Sequence, residues 1–144
     1  SALVLAWSDA TARVFDAESG KPTQVLDGHN DPLLGAAFSF DGSRVCTVSL
    51  SGSARIWDAE SSSVLHTRKV GQRQVGKVRY SRSGALCLTS LSGDKLEIWD
   101  PDDSNNDAVI HFDEEISLVC TGSDLILIGG LMGGCFHSFC RAAD

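Results

Sequence analysis

The chain has 144 residues, of which 42% are hydrophobic and 22% charged, with a formal net charge of −7. That is enough apolar material for a packed core in one domain of ordinary size. The acidic balance argues against a nucleic-acid partner, whose phosphates call for a basic surface. No basic segment precedes an apolar stretch, and no apolar run approaches the roughly 20 residues of a membrane helix. Neither a signal peptide nor a membrane contact is therefore expected.

In chain order, residues 3–7, 12–15 and 23–26 read as three short strands. A turn cluster, Gly28-His29-Asn30-Asp31-Pro32, follows. Residues 33–40, 45–50, 54–57 and 64–67 then read as four strands, a to d, with Asp41-Gly42 and Ser51-Gly52 as tight turns. The order recurs at 75–80, 86–90, 96–99 and 108–112, and again in part at 116–120, 125–128 and 135–140. Helical spacing is not sustained anywhere.

The elements repeat. Asp16-Ala17-Glu18-Ser19 returns as Asp58-Ala59-Glu60-Ser61, and Ile56-Trp57-Asp58 returns as Ile98-Trp99-Asp100, both 42 positions on. Stepping back from Trp57 by the same interval lands on Phe15. A period of this size marks a repeat architecture. Four short antiparallel strands per repeat make a sheet with two apolar faces, and stacking copies around an axis buries both. The aromatics Phe15, Trp57 and Trp99 become packing elements between sheets, and the DAES tetrapeptide becomes the polar turn after strand c.

The stretch SFDGSRVCTVSLSGSARIWD, behind a Gly-His pair, resembles a WD repeat. The resemblance covers nearly the whole chain and implies an all-β WD40 β-propeller of about three and a half four-stranded antiparallel blades. The units are a partial blade at 1–27, full blades at 28–69 and 70–112, and a partial blade at 113–144. It also implies a hydrogen-bonded set of His, Ser or Thr, Asp and Trp in each blade. Carried onto the second repeat, the set is His29, Ser49, Ser51 and Trp57, with Ser51 where Asp is usual. The third repeat has Gln72 for His, Ser90 or Ser92 for the hydroxyl, and Trp99. The first keeps Asp9 but has Phe15 for Trp. These are structural blade residues, and His29 is given no catalytic role.

No catalytic set, cofactor or metal site is predicted. The four His lie in different repeats without ligand spacing. The Gly-rich segment 129–134 lacks the order of a phosphate loop and reads as a turn. The acidic segment 100–109 lacks the Gly and the terminal Glu of a calcium loop. The five Cys form no CxxC and read as reduced, which implies an intracellular address, cytoplasmic or nuclear.

Charge is unevenly placed. Six of the 12 basic residues fall within 68–82, and seven of the 19 acids within 100–115. In WD propellers the loops concerned lie on opposite rims. Arg68, Lys69, Arg73 and Lys77 are thus a candidate rim for an acidic or phosphorylated protein partner. The resemblance implies a non-catalytic protein-interaction scaffold. One alternative is the sensor propeller of a NACHT- or apoptosome-type signalling ATPase. Another is nucleic-acid or phospho-ligand contact through the basic 68–82 stretch.

A four-blade ring at this period needs about 170 residues. The strand count starts with b-c-d and stops with a-b-c. A homodimer would bring six strands to one seam, so the remaining blades are expected from a longer parent chain.

Overall fold

The computed structural model describes residues 1–70, 75–82, 84, 86–90, 95–111, 116–121, 125–130 and 136–140. Among them, strands form four antiparallel sheets in sequence order. Sheet 1 holds β1 (Ala2–Ala6), β2 (Ala12–Asp16) and β3 (Pro22–Leu26). Sheet 2 holds β4 (Leu33–Phe38), β5 (Arg44–Ser49), β6 (Ser53–Asp58) and β7 (Val64–Lys69). Sheet 3 holds β8 (Val75–Tyr80), β9 (Leu86–Ser90), β10 (Lys95–Trp99) and β11 (Ala108–His111). Sheet 4 holds β12 (Ile116–Thr121), β13 (Leu125–Gly130) and β14 (Phe136–Cys140). Gln72, Arg73, Ser92 and residues 131–134 lie outside the described residues.

The backbone carries the period as plainly as the letters do. Six of the seven positive-φ residues among those described pair at 42: Ala10 (70°) with Gly52 (78°), Gly20 (64°) with Ser62 (60°), and Gly42 (74°) with Gly84 (96°). The first pair sits in the β1–β2 turn and in the equivalent β5–β6 turn, where a left-handed residue closes the loop. Gly52 takes that conformation without the Cβ clash that Ala10 bears. The repeated Asp after each third-strand aromatic is a turn cap. Asp16 Oδ1 accepts Ser19 N–H at 2.8 Å, Asp58 Oδ1 accepts Ser61 N–H at 2.7 Å, and Asp100 Oδ1 accepts Asp102 N–H at 3.1 Å. The DAES tetrapeptide is thus an Asx-type turn written twice.

Sheet 2 shows why the copies stack. Strand alternation sends Val45 and Trp57 to one face and Cys46, Val48, Ala54 and Ile56 to the other. The first face packs on Ala12, Val14 and Leu26 of sheet 1. The second packs on Val78, Tyr80 and Trp99 of sheet 3, with Val70 between. Both faces of β5 are therefore buried from Val45 to Ser49. Each fully buried aliphatic side chain contributes about 1.5–3 kcal/mol of hydrophobic stabilisation. The leading strands lie together: β4 contacts both β1 and β8, and β8 contacts β12. Sheets arranged with their leading strands inward and their faces stacked are the blades of a propeller.

Trp57 and Trp99 do bridge neighbouring sheets, being 1% and 6% exposed. Phe15 takes the equivalent place in sheet 1, on the face that corresponds to the Trp57 face of sheet 2. It pairs with Leu3, and Leu5 pairs with Arg13, so these residues share the face of sheet 1 turned away from sheet 2. That face is open: Leu3 is 52% exposed, Leu5 43% and Val25 52%. Phe15 itself is half-buried.

Candidate interaction rim

The connection between β3 and β4, the turn between β5 and β6, and the end of β7 meet at one end of sheet 2. Leu50 N–H donates to Pro32 O at 2.9 Å, and Val70 N–H donates to Gly52 O at 2.7 Å. This end is held from below by a buried polar chain. Trp57 Nε1–H donates to Thr47 Oγ1 at 2.8 Å, and Thr47 Oγ1 lies 2.7 Å from His29 Nε2. His29 is buried, its ring centroid 6.1 Å from that of Trp57. Burial first, and the Arg55 guanidinium second, pull its pKa from 6.5 to about 4, against an opposing pull from Asp31. The imidazole is thus neutral at pH 7. The hydroxyl has one proton and two lone pairs, so it can accept from the indole and donate to the imidazole.

The hydroxyl of this set is Thr47, which corrects the assignment to Ser49. Thr47 and Ser49 share a face of β5, so alternation does not separate them. Reach does. Trp57 pairs with Val45, so Thr47 is the next residue on that face and Ser49 the one after, about 7 Å further along. Ser49 serves the turn instead: its Oγ lies 3.2 Å from Ser51 Oγ and accepts Ser53 N–H at 3.3 Å. Trp99 pairs with Leu86, which puts Ser90 at the register position of Ser49 and Leu88 at that of Thr47.

The basic rim is also redrawn. Arg68 is engaged inside the protein: it forms an ion pair with Asp107, and its guanidinium sits 5.5 Å over the Trp99 ring. Arg44 donates to Asp102 at 2.8 Å, and Arg82 stacks on Phe40 at 4.7 Å. These contacts clamp sheet 2 to sheet 3. The basic and acidic stretches are therefore not kept on separate rims, because a cation on sheet 2 meets an acid after β10. Lys69 and Lys77 remain exposed, and Arg73 lies outside the described residues. Sequence reasoning missed Arg68's role because a charged residue reads as solvent-facing. The period held the signal: Leu26, 42 residues earlier, packs in the same cluster as Trp57. Cys46 is a free thiol, buried, and burial pushes its pKa up.

Stacked four-stranded antiparallel sheets on a 42-residue period, with a Gly-His turn and a buried Trp–hydroxyl–His chain, define a β-propeller built from repeats. The family of the WD domain, G-beta repeat, matches residues 20–58. The chain is 34% identical over 116 residues to apoptotic protease-activating factor 1 of Rattus norvegicus, covering 80% of this chain and 9% of that protein. It is 28% identical over 97 residues to a coronin-like protein of Saccharomyces cerevisiae, covering 64% and 15%. It is 24% identical over 130 residues to the target of rapamycin complex subunit wat1 of Schizosaccharomyces pombe, covering 86% and 41%. The chain thus spans less than half the length of each of these relatives. It belongs to the WD-repeat family, and its fold is that of a partial WD40 propeller.

Proposed function

We propose that the chain is a non-catalytic platform for protein–protein contacts, with repeat units at 1–27, 28–69, 70–112 and 113–144 inside a larger intracellular propeller. The observation that carries this reading is the open outer face of sheet 1. Leu3, Leu5 and Val25 stand there as the apolar residues of sheet 2 stand against sheet 1, and contiguous exposed apolar area marks a contact surface. A further blade of the same polypeptide suits it. The free, buried thiol of Cys46 supports a reducing compartment. The net charge of −7 weighs against nucleic acid.

Propeller sheets hold shape while their rim loops vary, which suits partner recognition. Lys69 and Lys77 are the exposed cations left to a basic rim, which favours an acidic protein. The relative wat1 is a target of rapamycin complex subunit, which agrees with a platform role. The test is Lys69→Glu with Lys77→Glu in the full-length protein. Quantitative co-purification should show loss of specific partners with an unchanged thermal melt. An unchanged partner set would refute the rim.

The second reading is the sensor propeller of a NACHT- or apoptosome-type signalling ATPase. The 34% identity to apoptotic protease-activating factor 1 across 80% of the chain favours it. A GxxxxGK[ST] phosphate loop upstream in the full-length sequence decides for it, and its absence decides against it.

A further inference from the structure

The 42-residue period places an internal control beside each side chain. In sheet 1 the turn before β2 carries Asp9, and β2 carries Arg13. Arg13 Nη2 donates to Asp9 Oδ2 at 2.8 Å, and the same carboxylate accepts Thr11 N–H at 3.1 Å. One period on, the pair becomes Ser51 and Arg55. The cation is kept and its carboxylate is lost. Ser51 Oγ turns to Ser49, and Ser49 Oγ takes the N–H of Ser53 that the Asp would take.

Arg55 is left without a partner. It forms no hydrogen bond or ion pair among the described residues, and its Nε is buried with nothing to receive its proton. A buried donor without an acceptor is costly and calls for an explanation. Neither Asp27 nor Asp31, in the neighbouring connection, forms an ion pair with it. The guanidinium is held in place by its contact with the Trp57 ring, 5.9 Å from the centroid. It lies against Gly28, where a Cβ would come within 2.6 Å of Arg55 Nη1. Gly28 is exposed and has φ +149°, a conformation that strains any other residue, so glycine leaves this side of the cation uncovered. Lys69 is a diagonal neighbour on the same face, since Ser53 pairs with Lys69 and Arg55 with Thr67.

We propose that Arg55, flanked by Gly28 and Lys69, is a receptor for a carboxylate side chain of a protein partner, which takes the place that Asp9 fills beside Arg13. The inference rests on the platform reading and makes Arg55, rather than Arg68, its anchoring cation. A planar carboxylate matches the fork of a guanidinium that already meets one in the preceding repeat.

The test restores the missing acid. In the full-length protein, Ser51→Asp should pair with Arg55 internally, raise the thermal midpoint and mask the site. Binding of a fluorescein-labelled hexaglutamate peptide, followed by anisotropy, should weaken by about tenfold. Ser51→Asn, and Leu50→Asp as a control for added charge, should stay near the wild-type affinity. Equal binding by wild type and Ser51→Asp overturns the proposal, as does undetectable hexaglutamate binding by the wild type or a lowered midpoint in Ser51→Asp. Tighter binding of a phosphoserine peptide overturns the choice of a carboxylate. If Lys69→Glu with Lys77→Glu abolishes partner capture while Ser51→Asp changes nothing, the Arg55 site is wrong and the platform reading stands. If neither variant changes capture, both fall.

Discussion

Acidification should weaken the second sheet through one residue. His29 titrates near 6.5 when unfolded and at about 4 in the fold, chiefly because burial disfavours its charged form. Between those values the unfolded chain binds a proton that the folded chain refuses, so stability falls as pH falls. The contribution is complete above pH 6.5, declines down to about pH 4 and is constant below. The interval corresponds to about 3 kcal/mol, with a slope that cannot exceed about 1.4 kcal/mol per pH unit. The carboxylates with lowered values act in a different window. Hydrogen bonds from Ser39 and Ser43 hold Asp41 at about 2, and Asp9, Asp16 and Asp58 are lowered by their turn donors. Their contributions fade only below the ordinary carboxylate value of 3.8. Urea titrations of the full-length protein, followed by tryptophan fluorescence from pH 7.5 to 4.5, should show this loss in the wild type. His29→Gln should be less stable at pH 7.5 but nearly flat across the interval. An equal slope in the variant would refute the assignment, and so would a wild type with no slope.

Other perturbations separate the contacts around this residue. Thr47→Val keeps the shape but strands the Trp57 indole and His29, and should cost about 1–3 kcal/mol in the same urea assay, while Ser49→Ala costs less. Trp57→Ala empties the junction of sheets 1 and 2 and should cost about 3–5 kcal/mol, against a smaller loss for Phe15→Ala on the open face of sheet 1. A double-mutant cycle on Arg68→Ala and Asp107→Ala should return a coupling of about 1 kcal/mol that declines with salt. Zero coupling would mean that the pair does not clamp sheets 2 and 3.

The architecture was legible because it is written several times. An aliphatic–aromatic–Asp step, Gly at turn positions and short alternating strands recur at one spacing, and the hydrophobic effect then leaves few ways to bury two faces of a small sheet. Site detail was legible only where residue type decides it. His29 and Trp57 announce themselves as polar-tipped groups that need burial and partners. Thr47 did not, because it and Ser49 offer the same chemistry on the same face, and only the rise of one strand step chooses between them. Arg68 was misread for a related reason: a letter carries charge but not the direction of its strand face. Its true setting follows from Leu26, which occupies the same place in the preceding repeat beside the preceding aromatic.

The same logic gives a reciprocal of the Arg55 experiment. If an unpaired guanidinium at this turn is what recruits a carboxylate, the site should be movable. Asp9→Ser removes the acid from Arg13 and leaves a hydroxyl where sheet 2 has one. The pair is exposed, with side chains 37% and 49% accessible, so solvent screening makes its loss a minor change in stability. Arg13 already stacks 4.6 Å over Trp7, which would hold the freed cation in place much as Trp57 holds Arg55. In the Ser51→Asp background, Asp9→Ser should therefore recover part of the hexaglutamate affinity, and Arg13→Gln should remove it again. Failure to recover any binding would show that an unpaired cation is not sufficient. Lys69, whose place one period earlier is taken by Asp27, would then be as necessary to the site as the arginine itself.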